Sequence, residues 1–323
     1  MRAVMYIPGP EGARAELHDI PTPVPGEGEV LVRVRAASIN RGEILVRKAL
    51  KSGKPQQNGI EFAGEVVGLG LGVGDIAMGT RVMGHWRAGQ AEYVAVPRRL
   101  VIPAPERLSW AEAAAWPNVF ITAHDAIVVN AGLRRGESIL VNAASSGIGV
   151  AALQIARLIG ATPVIGSSRV VAKLAALGEF GMDVGLDVSS GAFADAALKA
   201  TAGKGVDVVI DSVGADVLEE SIRCMAIGGR LVGVGRLGAS RGDIDMDLLA
   251  LRRLRLIGVT FRTRTLAERI ACVEKCAADL LPALREGRLK PVIDRTFPMA
   301  DIAAAHDHME RNQHIGKIVL TMA

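Results

Sequence analysis

Between residues 119 and 262, short aliphatic runs alternate with helical segments: Ser138–Asn142, Thr162–Gly166, Asp183–Asp187, Val206–Asp211, Arg230–Gly235 and Leu254–Val259 read as strands. A strand apolar on both faces needs cover on both. Helices connecting parallel neighbours supply that cover, so the pattern predicts a doubly wound parallel sheet of the α/β class. The first of these strands runs into Asn142-Ala143-Ala144-Ser145-Ser146-Gly147-Ile148-Gly149-Val150 and then a helical stretch. A turn of small residues lets backbone approach a pyrophosphate, whose charge is favoured at the N-terminus of the following helix. Ser145, Ser146, Gly147 and Ile148 are therefore candidate cofactor-binding residues. Measured against G-x-G-x-x-G, Ala144 and Ser146 stand where the first two glycines would be, and only Gly149 matches. The motif alone leaves an ordinary strand-turn-helix open.

The flanking segments have a different rhythm. Up to about residue 118 the chain is strand and turn: runs such as Val30-Leu31-Val32-Arg33-Val34 alternate with punctuation such as Pro21-Thr22-Pro23-Val24-Pro25-Gly26. Ser109-Trp110-Ala111-Glu112 has the capping-box pattern and opens a short helix that should stop before Pro117. After about 263 come a helix over Leu266–Glu286, an extended Val292-Ile293, a helix over Ala300–Arg311 and a strand over Gly316–Leu320. With 323 residues, two domains are expected. We assign 119–262 to a dinucleotide-binding domain inserted into a β-rich domain formed by 1–118 and 263–323.

Composition narrows the function classes. Aromatics are only 3% of the chain and its 38 basic residues form no run, which argues against nucleic acid. The N-terminus meets Pro8 and Gly9 before a signal-peptide core could form, and the uncharged stretch Ser138 to Ala156 carries too many polar residues for a membrane span. Three cysteines offer neither a disulfide framework nor a zinc spacing, which fits a reducing cytoplasm. The expected partner is a small-molecule substrate.

The second strand of the sheet ends in Ser167-Ser168-Arg169, where an NAD-specific enzyme would carry an acid for the ribose hydroxyls. Here the strand end is neutral to basic. Ser167 and Ser168 can donate hydrogen bonds, and Arg169 and Lys173 can add charge-assisted ones, so NADP(H) is the expected cofactor. An ordinary exposed strand end is the alternative.

In order along the chain stand Ala36-Ala37-Ser38-Ile39-Asn40, Gly59-Ile60-Glu61-Phe62-Ala63-Gly64-Glu65-Val66, Gln90-Ala91-Glu92-Tyr93, Ile121-Thr122-Ala123, the turn followed by Gln154 and Arg157, Asp211-Ser212-Val213-Gly214, Gly228-Gly229-Arg230 and Gly316-Lys317-Ile318-Val319-Leu320. Together these resemble the quinone oxidoreductase branch of the medium-chain dehydrogenase/reductase superfamily, essentially end to end. The resemblance implies a Rossmann domain inserted into a GroES-like catalytic domain, and a homodimer. In the zinc-dependent alcohol dehydrogenases of that superfamily a Cys stands at the position of Asn40 and a His at that of Ile60. Without both, the resemblance implies no zinc and no Lewis-acid route. Hydride transfer to an already electrophilic acceptor is left, a quinone or a C=C bond conjugated with a carbonyl.

By the same resemblance Asn40 lies near the nicotinamide and the acceptor, where its amide can hydrogen-bond a carbonyl oxygen as charge develops. As a turn former, Asn40 has a structural reading too. Thr122 resembles the cofactor-contacting Thr of the family, and Val213, Gly233 and Val234 fall at strand ends that pass the nicotinamide ribose. His85 lies close to the family's substrate pocket and could protonate product; a surface or packing histidine is the alternative. Two departures stand out. Asp187 replaces a Tyr common in relatives, and an inward-facing acid would complicate the phosphate reading. The stretch from Ser38 to Leu45 also resembles the enoyl reductases of polyketide synthases, yet no Tyr occurs between Tyr6 and Tyr93. A reductase of enoyl thioesters and a non-catalytic NADPH-binding protein of this fold are thus the rival expectations.

Overall fold

The computed structural model describes residues 1–322, and the chain divides into two compact units, Met1–Val119 with the residues from Leu266 onward, and Phe120–Thr265. In the second unit six strands form one sheet in the order Val184–Asp187, Val164–Ser168, Ile139–Val141, Val206–Asp211, Met225–Gly233, Arg255–Gly258. Every neighbouring pair is parallel. Numbered along the chain this is the order 3-2-1-4-5-6 of a doubly wound dinucleotide fold, whose switch point lies beside the first strand. Leu140, Ile165, Val209 and Leu231 are buried in one face of it, under the helices Ala194–Ala200 and Leu218–Cys224.

The first unit carries a seven-stranded sheet that is antiparallel except where Ile293–Pro298 runs parallel to Lys317–Thr321. Its central strand, Glu29–Ile39, alternates buried Val30, Val32 and Val34 with outward Arg33, as a sheet with one packed face requires. Over its last four residues every side chain is buried. There the register sets Ala37 opposite Phe62 and Ile39 opposite Ile318, which brings residues 38–40, 61 and 317 to one end of the sheet. A smaller antiparallel sheet, Arg14–Asp19, Arg2–Ile7 and Gln56–Gln57, packs Val4 and Tyr6 against Ile44, Ile302 and Met309.

Three local outcomes refine the sequence reading. A helix over Arg41–Ala49 follows the central strand, in a region read as strand and turn; Asn40 is its N-cap, and Glu43 and Ile44 are its buried residues. The capping box at Ser109 forms, with Glu112 accepting from the Ser109 amide at 2.8 Å, and that helix ends at Ala115. Pro117 then starts the next helix, Pro117–His124, at the position where a missing N–H costs nothing.

Candidate active site

In the second unit, all the residues assigned to the dinucleotide lie at or near the carboxyl ends of the parallel strands, except Thr122. Helix Gly147–Ile159 begins directly after the turn, and its N-cap, Ser146, accepts from the Gly149 amide at 3.1 Å. The amides of Gly147 and Ile148 belong to the first turn, whose donors have no acceptor within the helix itself. Ala143 sits in the left-handed region at φ 54, a conformation that costs a non-glycine residue energy and is held by what surrounds it. A Cβ on Gly149 would stand 2.5 Å from the carbonyl oxygens of both Ala143 and Ala144. The matched glycine is therefore needed for the close approach of helix and turn. This donor set fits a pyrophosphate.

Asn142 ties the strand ends together. Its Nδ2 donates to Ser221 Oγ at 3.0 Å and to Asp211 Oδ1 at 3.4 Å, and its Oδ1 accepts from Ser167 Oγ at 2.9 Å. Burial raises the pKa of Asp211, although the Val213 and Gly214 amides and the Asn142 side chain oppose it. Those amides donate to its carboxylate at 2.9 and 2.8 Å, and the Val234 amide donates to its carbonyl at 2.7 Å. Val213, Gly233 and Val234 are thereby held side by side.

The phosphate-selecting group changes in detail. Ser167 and Ser168 are buried: the first hydroxyl is turned to Asn142, and the second bonds the Val170 backbone at 3.0 Å. Arg169 is exposed and Lys173 is half-buried in the short helix Val171–Ala175. Asp187 is exposed, paired in register with Ser168, and its carboxylate accepts from the Ser189 amide at 2.9 Å, which lowers its pKa. Thr122 lies half-buried in helix Pro117–His124.

The first unit holds a buried polar network around Asn40. Glu61, fully buried, forms an ion pair of 2.7 Å with Lys317, itself 4% exposed. Ser38 Oγ and Asn40 Nδ2 also donate to Glu61 Oε1, the latter at 2.8 Å, and the Asn118 amide donates to Oε2 at 2.7 Å. Burial raises the Glu61 pKa, but the Lys317 ammonium and these hydrogen bonds outweigh it, so Glu61 is held below the ordinary carboxylate range. Lys317 Nζ further donates to Asn40 Oδ1 at 2.6 Å and to the Ile39 carbonyl at 3.0 Å. Asn118 Nδ2 donates to Asn40 Oδ1 at 2.8 Å.

A second carboxyl adjoins this set. Glu43 Oε2 accepts from the Asn40 amide at 3.2 Å and from Gln90 Nε2 at 3.0 Å, and Gln90 continues through Asn58 to the Tyr6 hydroxyl. Glu43 Oε1 is buried with no hydrogen-bond partner among the described residues. Burial pushes its pKa up to about 7, against the opposing pull of Lys317. Gly59, at φ 102, lets this corner close: a Cβ there would stand 2.3 Å from the Gln90 amide nitrogen.

His85 is buried rather than at the surface. Burial lowers its pKa to about 4, against Glu61 and a hydrogen bond to the Asn118 side chain, so it is neutral at working pH. His306 and His308, two apart on the helix Ile302–Glu310, take different environments: His306 lies in the core beside the Tyr6 ring, and His308 bonds Asp294 at 2.7 Å.

Comparison with known proteins agrees with both halves. The alcohol dehydrogenase GroES-like domain family matches residues 26–106, and the zinc-binding dehydrogenase family matches residues 159–320. The spectinabilin polyketide synthase system protein NorB of Streptomyces orinoci is 36% identical over 300 residues; the match covers 91% of this chain and only 13% of that protein. The synaptic vesicle membrane protein VAT-1 homolog of Rattus norvegicus is 32% identical, over 92% of this chain and 78% of its own length. A solved NAD-dependent alcohol dehydrogenase shares 32% identity with a TM-score of 0.88, covering all of both chains. A mycobacterial protein solved in complex with NADPH shares 26% identity with a TM-score of 0.87, over 99% of this chain and 100% of that one.

Proposed function

Since this chain belongs to the medium-chain dehydrogenase/reductase superfamily, we propose that it reduces a quinone or an α,β-unsaturated carbonyl with NADPH and without a metal. The observation that carries the reading is the state of Asn40. Its carbonyl oxygen accepts from the Lys317 ammonium at 2.6 Å, and position 60 is Ile. An ammonium beside an amide, with an apolar neighbour, is a donor set that repels a divalent cation and lacks the thiolate and imidazole of a zinc site. What the amide can offer is an N–H toward an oxygen that gains negative charge.

NADPH, when bound, supplies the hydride. The Gly147 and Ile148 amides and the Ser145 and Ser146 turn would hold its pyrophosphate, and Val213, Gly233 and Val234 would line the ribose beside Thr122. Arg169, with Lys173, would meet the 2′-phosphate, because the Ser167 and Ser168 hydroxyls are engaged inside the chain. Asp187 accepts from the Ser189 amide and stays ionised, so Arg169 and Lys173 would have to offset its charge beside a phosphate. His85, neutral above about pH 4, acts here as a hydrogen-bonding group and not as an imidazolium acid; the completing proton comes from solvent.

A second reading, a reductase of enoyl thioesters, is supported by the resemblance of Ser38 to Leu45 to polyketide synthase enoyl reductases, together with the 36% identity to a polyketide synthase system protein. Both readings share the chemistry and differ in the acceptor. Loss of reduced-nicotinamide absorbance should be followed with NADPH against quinones, enones and enoyl thioesters. Turnover with one of these classes is expected and names the substrate. NADPH binding with no turnover on any of them would make the protein a binding module and overturn the proposal.

A further inference from the structure

Ser38 and Asn40, Glu61, Asn118 and Lys317 come from four segments of the first unit, yet they form one hydrogen-bonded set. An amide side chain offers two acceptor lone pairs and two N–H donors. At Asn40 the acceptor side is full: Lys317 Nζ donates at 2.6 Å and Asn118 Nδ2 at 2.8 Å. On the donor side one N–H goes to Glu61 Oε1 at 2.8 Å, and the other has no acceptor among the described residues. Lys317 directs its three protons to Ile39 O, Asn40 Oδ1 and Glu61 Oε1. Glu61 in turn holds the start of helix Pro117–His124 through the Asn118 amide.

A half-turn of the Asn40 amide would exchange its oxygen and nitrogen. Its NH2 would then face an ammonium and a second NH2, and its oxygen would face the Glu61 carboxylate. The surrounding charges forbid that orientation.

We propose that Lys317, Glu61 and Asn118 are positioning residues: together they lock the Asn40 amide in one orientation and leave it a single directed N–H. This deepens the reductase reading and rests on it, because that N–H is the donor assigned to the acceptor's oxygen. None of the three needs to touch substrate.

Asn118→Ala removes one bond at Asn40 Oδ1 and the side-chain bond to His85, keeps the backbone N–H on Glu61, and suits a helix. With the quinone or enone that wild type reduces, kcat is expected to fall on the order of 100-fold, the scale of a misplaced reacting group, with the Kd for NADPH unchanged. Asn118→Asp can donate to Asn40 only when protonated; it faces the Glu61 carboxylate, the Lys317 ammonium, and His85, whose own surroundings include Arg269. Its kcat should therefore rise as pH falls, roughly tenfold per pH unit above the Asp pKa, a slope that the wild-type amide lacks. Wild-type kcat in both variants would overturn the proposal. A readout without turnover separates its failure from that of the reductase reading: in nuclear magnetic resonance of the wild type, the two Asn40 side-chain protons should exchange with solvent at different rates. Equal, fast exchange of both would sink the lock whatever the protein reduces.

Discussion

The dinucleotide turn and the Asn40 network solve opposite electrostatic problems with opposite materials. The turn must hold an anion that comes and goes. In the proposed reading it does so with backbone amides and small residues, and the charged Arg169, after the neighbouring strand, stays exposed. Nothing charged is left stranded when the anion leaves, because helix N-terminal donors can turn to water. The Asn40 network must hold a neutral amide in one orientation. It does so with full charges, Glu61 and Lys317, taken out of water and satisfied by each other and by Ser38, Asn40 and Asn118. Binding tolerates an empty state, whereas orientation requires every partner to be present.

The contrast predicts where stability and cofactor choice part company. The largest effect should come from Lys317→Met, which leaves the Glu61 carboxylate buried without its counter-ion. A loss of about 3–5 kcal/mol in denaturant unfolding is expected, the cost of breaking a buried pair from one side. A change below ~1 kcal/mol would mean that the network is not closed.

Glu43→Gln tests the same network through pH. In the folded chain Glu43 keeps its proton up to about pH 7, while the unfolded chain releases it near the ordinary value of 4.5. Stability is therefore lost as pH rises through that window, since the folded state binds more protons there. Gln removes the slope. The variant should be more stable than wild type above pH 7, by about 1–3 kcal/mol in thermal or urea unfolding, and no more stable below pH 4.5.

The smallest effect on the fold, and the sharpest on ligand choice, belongs to Arg169→Ala. Unfolding should shift by less than ~0.5 kcal/mol, as at an exposed site. Affinity for NADPH should fall by about 1.5–3 kcal/mol while affinity for NADH stays unchanged, which a thermal-shift titration with each nucleotide reads directly. An equal loss for both nucleotides would move the 2′-phosphate away from Arg169.

Much of the dinucleotide unit was legible in the sequence because its signals are local. Val206–Asp211 forms over the residues its aliphatic run marks, and the other five strands overlap their runs. The strand Met225–Gly233 starts five residues early because Met225 and Ala226 are buried as well, which no run of β-branched residues announces. Helix Leu266–Arg285 also forms over its predicted length and carries Pro282 inside it. The helix at Arg41–Ala49 escaped because Gly42 and Arg41 weaken its apolar stripe, and only the Asn40 cap and Glu43 mark its start. Ser167 looked like a phosphate donor because strand-end position is readable, whereas the direction of its hydroxyl depends on Asn142, a residue from the neighbouring strand.

The Asn40 network was legible only in fragments. Glu61 between Ile60 and Phe62, and Lys317 beside Ile318, are charges set at the starts of apolar strands, which should have flagged buried partners. Their meeting depends on antiparallel register across the sheet, a long-range fact that no local pattern states.

That register also imposes an order in time. Lys317 lies 256 residues after Glu61 along the chain. At ordinary rates of synthesis, roughly 13 to 50 s separate their departures from the ribosome. Until the lysine emerges, the carboxylate has no cation and must stay wet or take up a proton, so the charged network around it cannot form. The unit from Phe120 to Thr265 is continuous in sequence and can be finished first. One late ammonium thus acts as the clasp of nascent-chain folding.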